Sequence, residues 1–190
     1  MRRTWRVGPV LIAACLLASG WGPGTARAND EAELIGFLSQ LPRDGLRLPP
    51  AAPVAATLEV PNEQGGPRIV FPVEFTPRTA SAARKHVRVG DLVALEGLLQ
   101  GGQLRVLQVR DVDVTEFSGR LSLPDGPVTL PVPADRLVDV VLDGARLPVG
   151  FLLTPQTAAP RTTLGDGHAV TLAVVVSGRI VVDLEMSRPR

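Results

Sequence analysis

From residue 55 to residue 185 the chain is a succession of short Val- and Leu-rich runs separated by clusters of turn-forming residues. No other feature narrows the fold so far. Residues 55–60 and 68–75 flank Glu63-Gln64-Gly65-Gly66-Pro67, and residues 92–99 and 104–109 flank Gln100-Gly101-Gly102. Residues 117–123 and 128–132 flank Pro124-Asp125-Gly126-Pro127, and residues 170–176 and 180–185 flank Ser177-Gly178. Between 137–142 and 146–153 stands Asp143-Gly144, a dipeptide suited to the positive φ angles of a type I′ turn. β-Branched side chains pack well on a pleated surface, and hairpin signals at near-regular spacing predict antiparallel pairing. The expected fold class is all-β, a small antiparallel barrel or a sandwich built from hairpins. Residues 134–142 also satisfy helical spacing, but the Asp-Gly turn and the valine content assign them to a strand. Between Leu104 and Val114 the apolar parity shifts twice, which a β-bulge would absorb. No internal repeat is evident.

The chain before residue 54 has a different character. Arg2, Arg3 and Arg6 form a basic start, residues 10–18 an apolar run, and Ala26-Arg27-Ala28 a small-residue cleavage site. This is the layout of a secretory signal peptide over residues 1–28. The apolar run is shorter than the roughly 20 residues that cross a bilayer, so no transmembrane segment is expected after cleavage. Ile12-Ala13-Ala14-Cys15 resembles a lipobox, which makes a lipoprotein acylated on Cys15 the minor alternative, and Arg2-Arg3 has the look of a twin-arginine start. The expected location is periplasmic or secreted.

Residues 29–53 read as an amphipathic helix followed by a linker. Asn29 or Asp30 can cap it, and Leu34, Phe37, Leu38 and Leu41 recur at i, i+3, i+4 and i+7. Pro42 closes the helix, and residues 43–53 are too proline-rich for regular structure. A helix this short is unstable alone in water, so its apolar stripe must dock, either on its own barrel or on an envelope protein partner. Residues 54–187 then form one β domain.

Composition excludes several chemistries. Cleavage after Ala28 leaves 162 residues and removes four arginines, so 16 basic residues face all 19 acidic ones, a net charge of −3. A mildly acidic chain lacks the electrostatic footprint of a nucleic-acid binder. Cys15 is the only cysteine, and both tryptophans, Trp5 and Trp21, lie in the same leader; the chain has no tyrosine. Disulfides, thiolate nucleophiles and thiolate metal sites are therefore excluded, and no cofactor is expected.

Three clusters could carry chemistry. Arg84, Lys85, His86 and Arg88 form the densest positive run and could hold an anion, or simply be a solvated connection. Asp111 and Asp113 share a strand face near Glu116, but the stretch lacks the ligand number and glycine turn of a calcium loop. Asp166-Gly167-His168 joins the second histidine to an acid, or is a turn entering a strand. There is no GxSxG elbow, SxxK pair or HExxH spacing, so an enzyme is not expected.

Val87-Arg88-Val89-Gly90-Asp91-Leu92-Val93-Ala94-Leu95-Glu96-Gly97, with the turn and strand that follow to residue 114, resembles the opening hairpin of bacterial OB-fold domains. That resemblance implies a small β-barrel. OB-folds often bind oligonucleotides or oligosaccharides, but the aromatic residues that serve this are missing from the matched stretch. Residues 148–172, from Pro148-Val149-Gly150-Phe151-Leu152-Leu153-Thr154-Pro155 onward, look like the SAF-type β-clip of flagellar and pilus assembly proteins. The expected function is a non-enzymatic envelope accessory, a protein-interaction or assembly factor. A carbohydrate- or polymer-binding module is the alternative, and a hydrolase using scattered carboxylates comes third.

Overall fold

A computed structural model describes residues 30–81 and 84–186. The signal-peptide expectation, with Cys15 inside it, lies outside the described residues. Seven strands come first: β1 (Asp30–Gln40), β2 (Gly45–Arg47), β3 (Val54–Val60), β4 (Ile69–Ser81), β5 (His86–Arg88), β6 (Leu92–Gln100) and β7 (Gln103–Arg110). Then come β8 (Val114–Ser122), β9 (Val128–Thr129), β10 (Arg136–Leu142), β11 (Pro148–Leu153), β12 (Thr163–Leu164), β13 (Ala169–Val175) and β14 (Ile180–Met186). The fold is all-β, as expected. Residues 54–187, however, do not form one barrel.

Two closed barrels are present, ordered β1-β3-β4-β7-β6 and β10-β11-β14-β13-β8. Neighbours pair antiparallel except β4 with β7 and β11 with β14, which run parallel and complete each ring. Each barrel has its own core. Leu58, Val73, Phe75, Leu95, Leu104 and Val106 fill the first, and Val140, Leu153, Val170, Leu172 and Val181 fill the second. A two-stranded ribbon lies beside each ring, β2 with β5 and β9 with β12, and places Val87 or Leu164 in the adjoining core.

The two halves repeat each other strand for strand. Gly36 and Gly119 sit where a Cβ would come within 2.5 Å of the carbonyl oxygen of Glu59 or of Val141, so each lets its strand cross the next one closely. The Oγ1 of Thr79 donates to the carbonyl of Val106 and accepts from the amide of Thr76; Thr157 does the same with Val181 and Thr154. Strands β3 and β10 share one burial pattern, with Ala56 and Leu58 matching Val138 and Val140. The repeat missed in the sequence is therefore real. It is visible as Glu33-x-x-Gly36-x-Leu38-Ser39 against Glu116-x-x-Gly119-x-Leu121-Ser122, and as Thr76-Pro77-x-Thr79 against Thr154-Pro155-x-Thr157. Its spacing drifts from 83 residues at Gly36/Gly119 to 75 at Val106/Val181, because the second copy has shorter connections.

The N-terminal helix is a strand. Asp30 to Phe37 pair in unbroken register with Leu99 to Leu92 of β6, and Phe37 and Leu38 pair with β3. Two ladders of backbone hydrogen bonds and the closure of the ring outweigh a helical periodicity only two turns long. The linker at 43–53 contains a 3₁₀ turn at Pro42–Asp44 and then β2, with Leu48 buried in the first core.

Four of the five hairpins form as expected, in β3–β4, β6–β7, β10–β11 and β13–β14. The fifth does not. Strand β8 pairs with β10 and β13 and leaves β9 to pair with β12, so Asp125-Gly126 turns the chain out of the ring. At Asp143-Gly144 only Gly144 has positive φ (82°), and Ala145 N–H closes the turn on Leu142. The expected bulge falls at Leu107: Glu96 faces Gln108 while Gly97 faces Val106.

Candidate functional site: a basic ribbon and the seam between barrels

The apolar stripe divides according to strand alternation over residues 34–38, whose period of two sends successive side chains to opposite faces. Leu41 lies past the end of β1, beyond the register shift between Leu38 and Gln40. Leu38 is buried in the first barrel, and Leu34 and Leu41 pack against the same core. Phe37 points the other way, into a cluster with Val175 and Ile180 of the second barrel, backed by Ile35, Leu92, Val112 and Val182. Phe37 and Leu38 are buried within the chain, Leu34 and Leu41 are half-buried, and Phe37 forms the seam.

A charged clasp borders that seam. Arg68, at the entrance to β4, lies over the Phe37 ring with its guanidinium carbon 4.5 Å from the centroid. Its Nε and Nη2 donate to Asp135 Oδ2 and Oδ1 at 2.9 and 2.8 Å. Further bonds reach Glu59 at 3.3 Å and Gln156 at 2.7 Å. Arg68 and Glu59 belong to the first repeat, Asp135 and Gln156 to the second. The Asp135 side chain is only 2% exposed. Burial disfavours the Arg68 cation, yet the bonds and charges of Asp135 and Glu59 outweigh it and raise its pKa above the ordinary value. Neither Arg68 nor Asp135 was singled out in the sequence; they stand 67 residues apart with no shared motif.

The basic run at 84–88 splits in two. Arg84 pairs with Asp111 and, at 3.4 Å, with Asp91. It fastens a connection by engaging Asp111, and Asp111 and Asp113 lie in the segment between β7 and β8 instead of sharing the expected strand face. His86 and Arg88 lie on the outer face of β5 with Val87 buried between them, and Lys85 is exposed beside them. Across the ribbon Arg47 is the register partner of His86, and Gly45 that of Arg88. Arg47 lies within residues 43–53, where the proline content predicts a linker and not a strand. Its alternation with Leu46 and Leu48 was the available signal.

Asp166 and His168 fasten turns. Asp166 Oδ1 accepts from the Leu123 amide at 2.8 Å, and His168 Nδ1 from the Gly165 amide at 3.1 Å. In the first repeat Asp91 Oδ2 accepts from Arg88 N–H at the matching place. Histidine and aspartate thus serve as interchangeable acceptors. A cleft of about 450 Å³ on the first barrel is lined by Glu31, Glu33, Glu96, Leu107 and Gln108, and Arg110 bridges Glu33 and Glu96 there. Among the described residues no group of three or more metal-ligating side chains converges, and no helix is long and apolar enough to cross a membrane. Compared with protein-family models, curated proteins and solved structures, the chain matches none.

Proposed function

We propose that the chain is an exported, non-enzymatic accessory of the cell envelope, a protein-interaction or assembly factor built from two OB-like barrels. The ring order of each half, with a parallel pairing among five otherwise antiparallel strands, supports the OB-like assignment, although the stretch that resembles an opening hairpin supplies β6 and β7, the last two strands of the first ring. The observation that carries the functional reading is the seam. An apolar contact through Phe37 and a buried clasp through Arg68 and Asp135 fix two barrels to each other. Such a pair presents two surfaces at constant spacing, which suits a scaffold that holds partners in register. Five carboxylates face cations: Asp135 and Glu59 on Arg68, Asp111 on Arg84, Glu96 on Arg110, Glu74 on Arg105.

The basic N-terminus and the Ala26-Arg27-Ala28 site support export. The test is fractionation of cells carrying the full-length chain with a C-terminal tag, followed by cross-linking in the envelope fraction. The expected result is a mature N-terminus at Asn29 and stoichiometric recovery of one envelope protein. Retention on polysaccharide with no protein recovered would transfer the assignment to a carbohydrate-binding module, and a cytoplasmic chain beginning at Met1 would end it.

A further inference from the structure

The two ribbons form an internal comparison. Both are two-stranded, both bury one side chain of the second strand, and both are anchored by the same bond: Leu48 N–H to the carbonyl of Lys85 in the first, Leu130 N–H to that of Thr162 in the second. The alignment this fixes sets Arg47 against Thr129, Lys85 against Thr162, His86 against Thr163 and Arg88 against Gly165. The second ribbon is neutral, and its two threonine hydroxyls lie 3.5 Å apart. The fold therefore does not require positive charge at these places.

In the first ribbon that charge is uncompensated. Among the described residues no carboxylate lies within salt-bridge distance of the Arg47, Lys85 or Arg88 side chains; Asp91 Oδ2, which accepts from the Arg88 backbone N–H at 2.9 Å, pairs with Arg84 instead. Directly opposed residues on one face have Cβ atoms about 5 Å apart, and like charges there are destabilising. His86 and Arg88, two residues apart on one strand, stand about 7 Å apart on the same face. Gly45 faces Arg88 with no side chain, which leaves the surface open between them.

We propose that this face, formed by Arg47, His86 and Arg88 with Lys85 at its border, is a binding site for a phosphoryl group. Three donor-bearing side chains sharing one exposed face match a group with three outward oxygens, where a carboxylate has two. Arginine forks are suited to that geometry. No phenylalanine lies on the ribbon, and the chain has no tyrosine, so a base or sugar ring has nothing to stack on. The site recognises the phosphoryl group and not what carries it, whether a lipid headgroup or a soluble phosphate. The inference goes beyond the envelope-accessory reading and does not depend on it.

The test exchanges the first ribbon for the second in the full mature chain, with Arg47→Thr, His86→Thr and Arg88→Gly together. Pyrophosphate is titrated at low ionic strength, and co-sedimentation is measured with vesicles of phosphatidylglycerol in phosphatidylcholine. Arg146→Thr, which removes an exposed charge from the second barrel, is the control, and circular dichroism verifies folding. The expected result is binding that the exchange weakens by more than about tenfold, the loss of one charge-assisted contact, and that Arg146→Thr leaves intact. Binding of pyrophosphate identifies a soluble source, and binding of vesicles alone a lipid headgroup; either supports the site. Failure of both probes to bind, or equal weakening by the exchange and by Arg146→Thr, overturns it. If the exchanged chain misfolds, Thr129→Arg with Thr163→His and Gly165→Arg decides: binding of either probe gained on the second ribbon supports the site, and no gain overturns it.

Discussion

Replacing Arg68 with methionine would strip both oxygens of the Asp135 carboxylate, a side chain 2% exposed with Arg68 in place, of their bonds to the guanidinium. Breaking a buried pair from one side costs about 3–5 kcal/mol, because the remaining charge is neither solvated nor paired. The opposite change, Asp135→Leu, is milder. Arg68 keeps Glu59 and Gln156, so the loss is that of charge-assisted bonds, about 1.5–3 kcal/mol. The double variant restores an apolar contact over Phe37 and should be no worse than the milder single, giving a coupling energy on the order of 3 kcal/mol. For a chain of this length the Arg68→Met loss corresponds to a fall of about 10 °C in melting temperature. Guanidinium denaturation followed by far-ultraviolet circular dichroism is the suitable assay, since both tryptophans precede residue 29 and tyrosine is absent. Wild-type protein should unfold in one transition and Arg68→Met in two, as the barrels separate. A cost below about 1 kcal/mol for Arg68→Met would refute the argument by showing that Asp135 reaches water.

Gly36→Val and Gly119→Val should each destabilise by at least about 1–3 kcal/mol, since either Cβ meets a backbone carbonyl at 2.5 Å; unchanged denaturation midpoints would show that the crossings are looser. Thr79→Val and Thr157→Val each remove a buried hydroxyl that both donates and accepts, so equal losses of about 1–3 kcal/mol are expected in the two repeats by the same assay. His168→Asp should preserve stability, because Asp91 makes the equivalent bond, whereas His168→Leu should lose about 1 kcal/mol; equal effects would deny the acceptor role. Gly144→Val should cost about 1–3 kcal/mol at φ 82°, read as a lowered unfolding midpoint.

Features that depend on neighbours along the chain are legible in the residues alone. Turn chemistry at Gln100-Gly101-Gly102 and Asp143-Gly144, with alternating Val and Leu, was enough for an all-β fold, for four hairpins and for the bulge at Leu107. The repeat was also legible in Gly-x-Leu-Ser and Thr-Pro-x-Thr, although its drifting spacing concealed it. Tertiary structure decided everything that required distant segments to meet. Leu34, Phe37, Leu38 and Leu41 satisfy a helical stripe and a strand about equally, and only the ladders to β3 and β6 choose between them. Ring closure, by parallel pairing of strands with no hairpin between them, divided one expected barrel into two. The clasp of Arg68 on Asp135 and the approach of Arg47 to His86 join residues 67 and 39 positions apart. Charge and hydrogen-bonding capacity are local properties, but whether a cation is neutralised or left open to a ligand depends on which carboxylate the fold brings beside it.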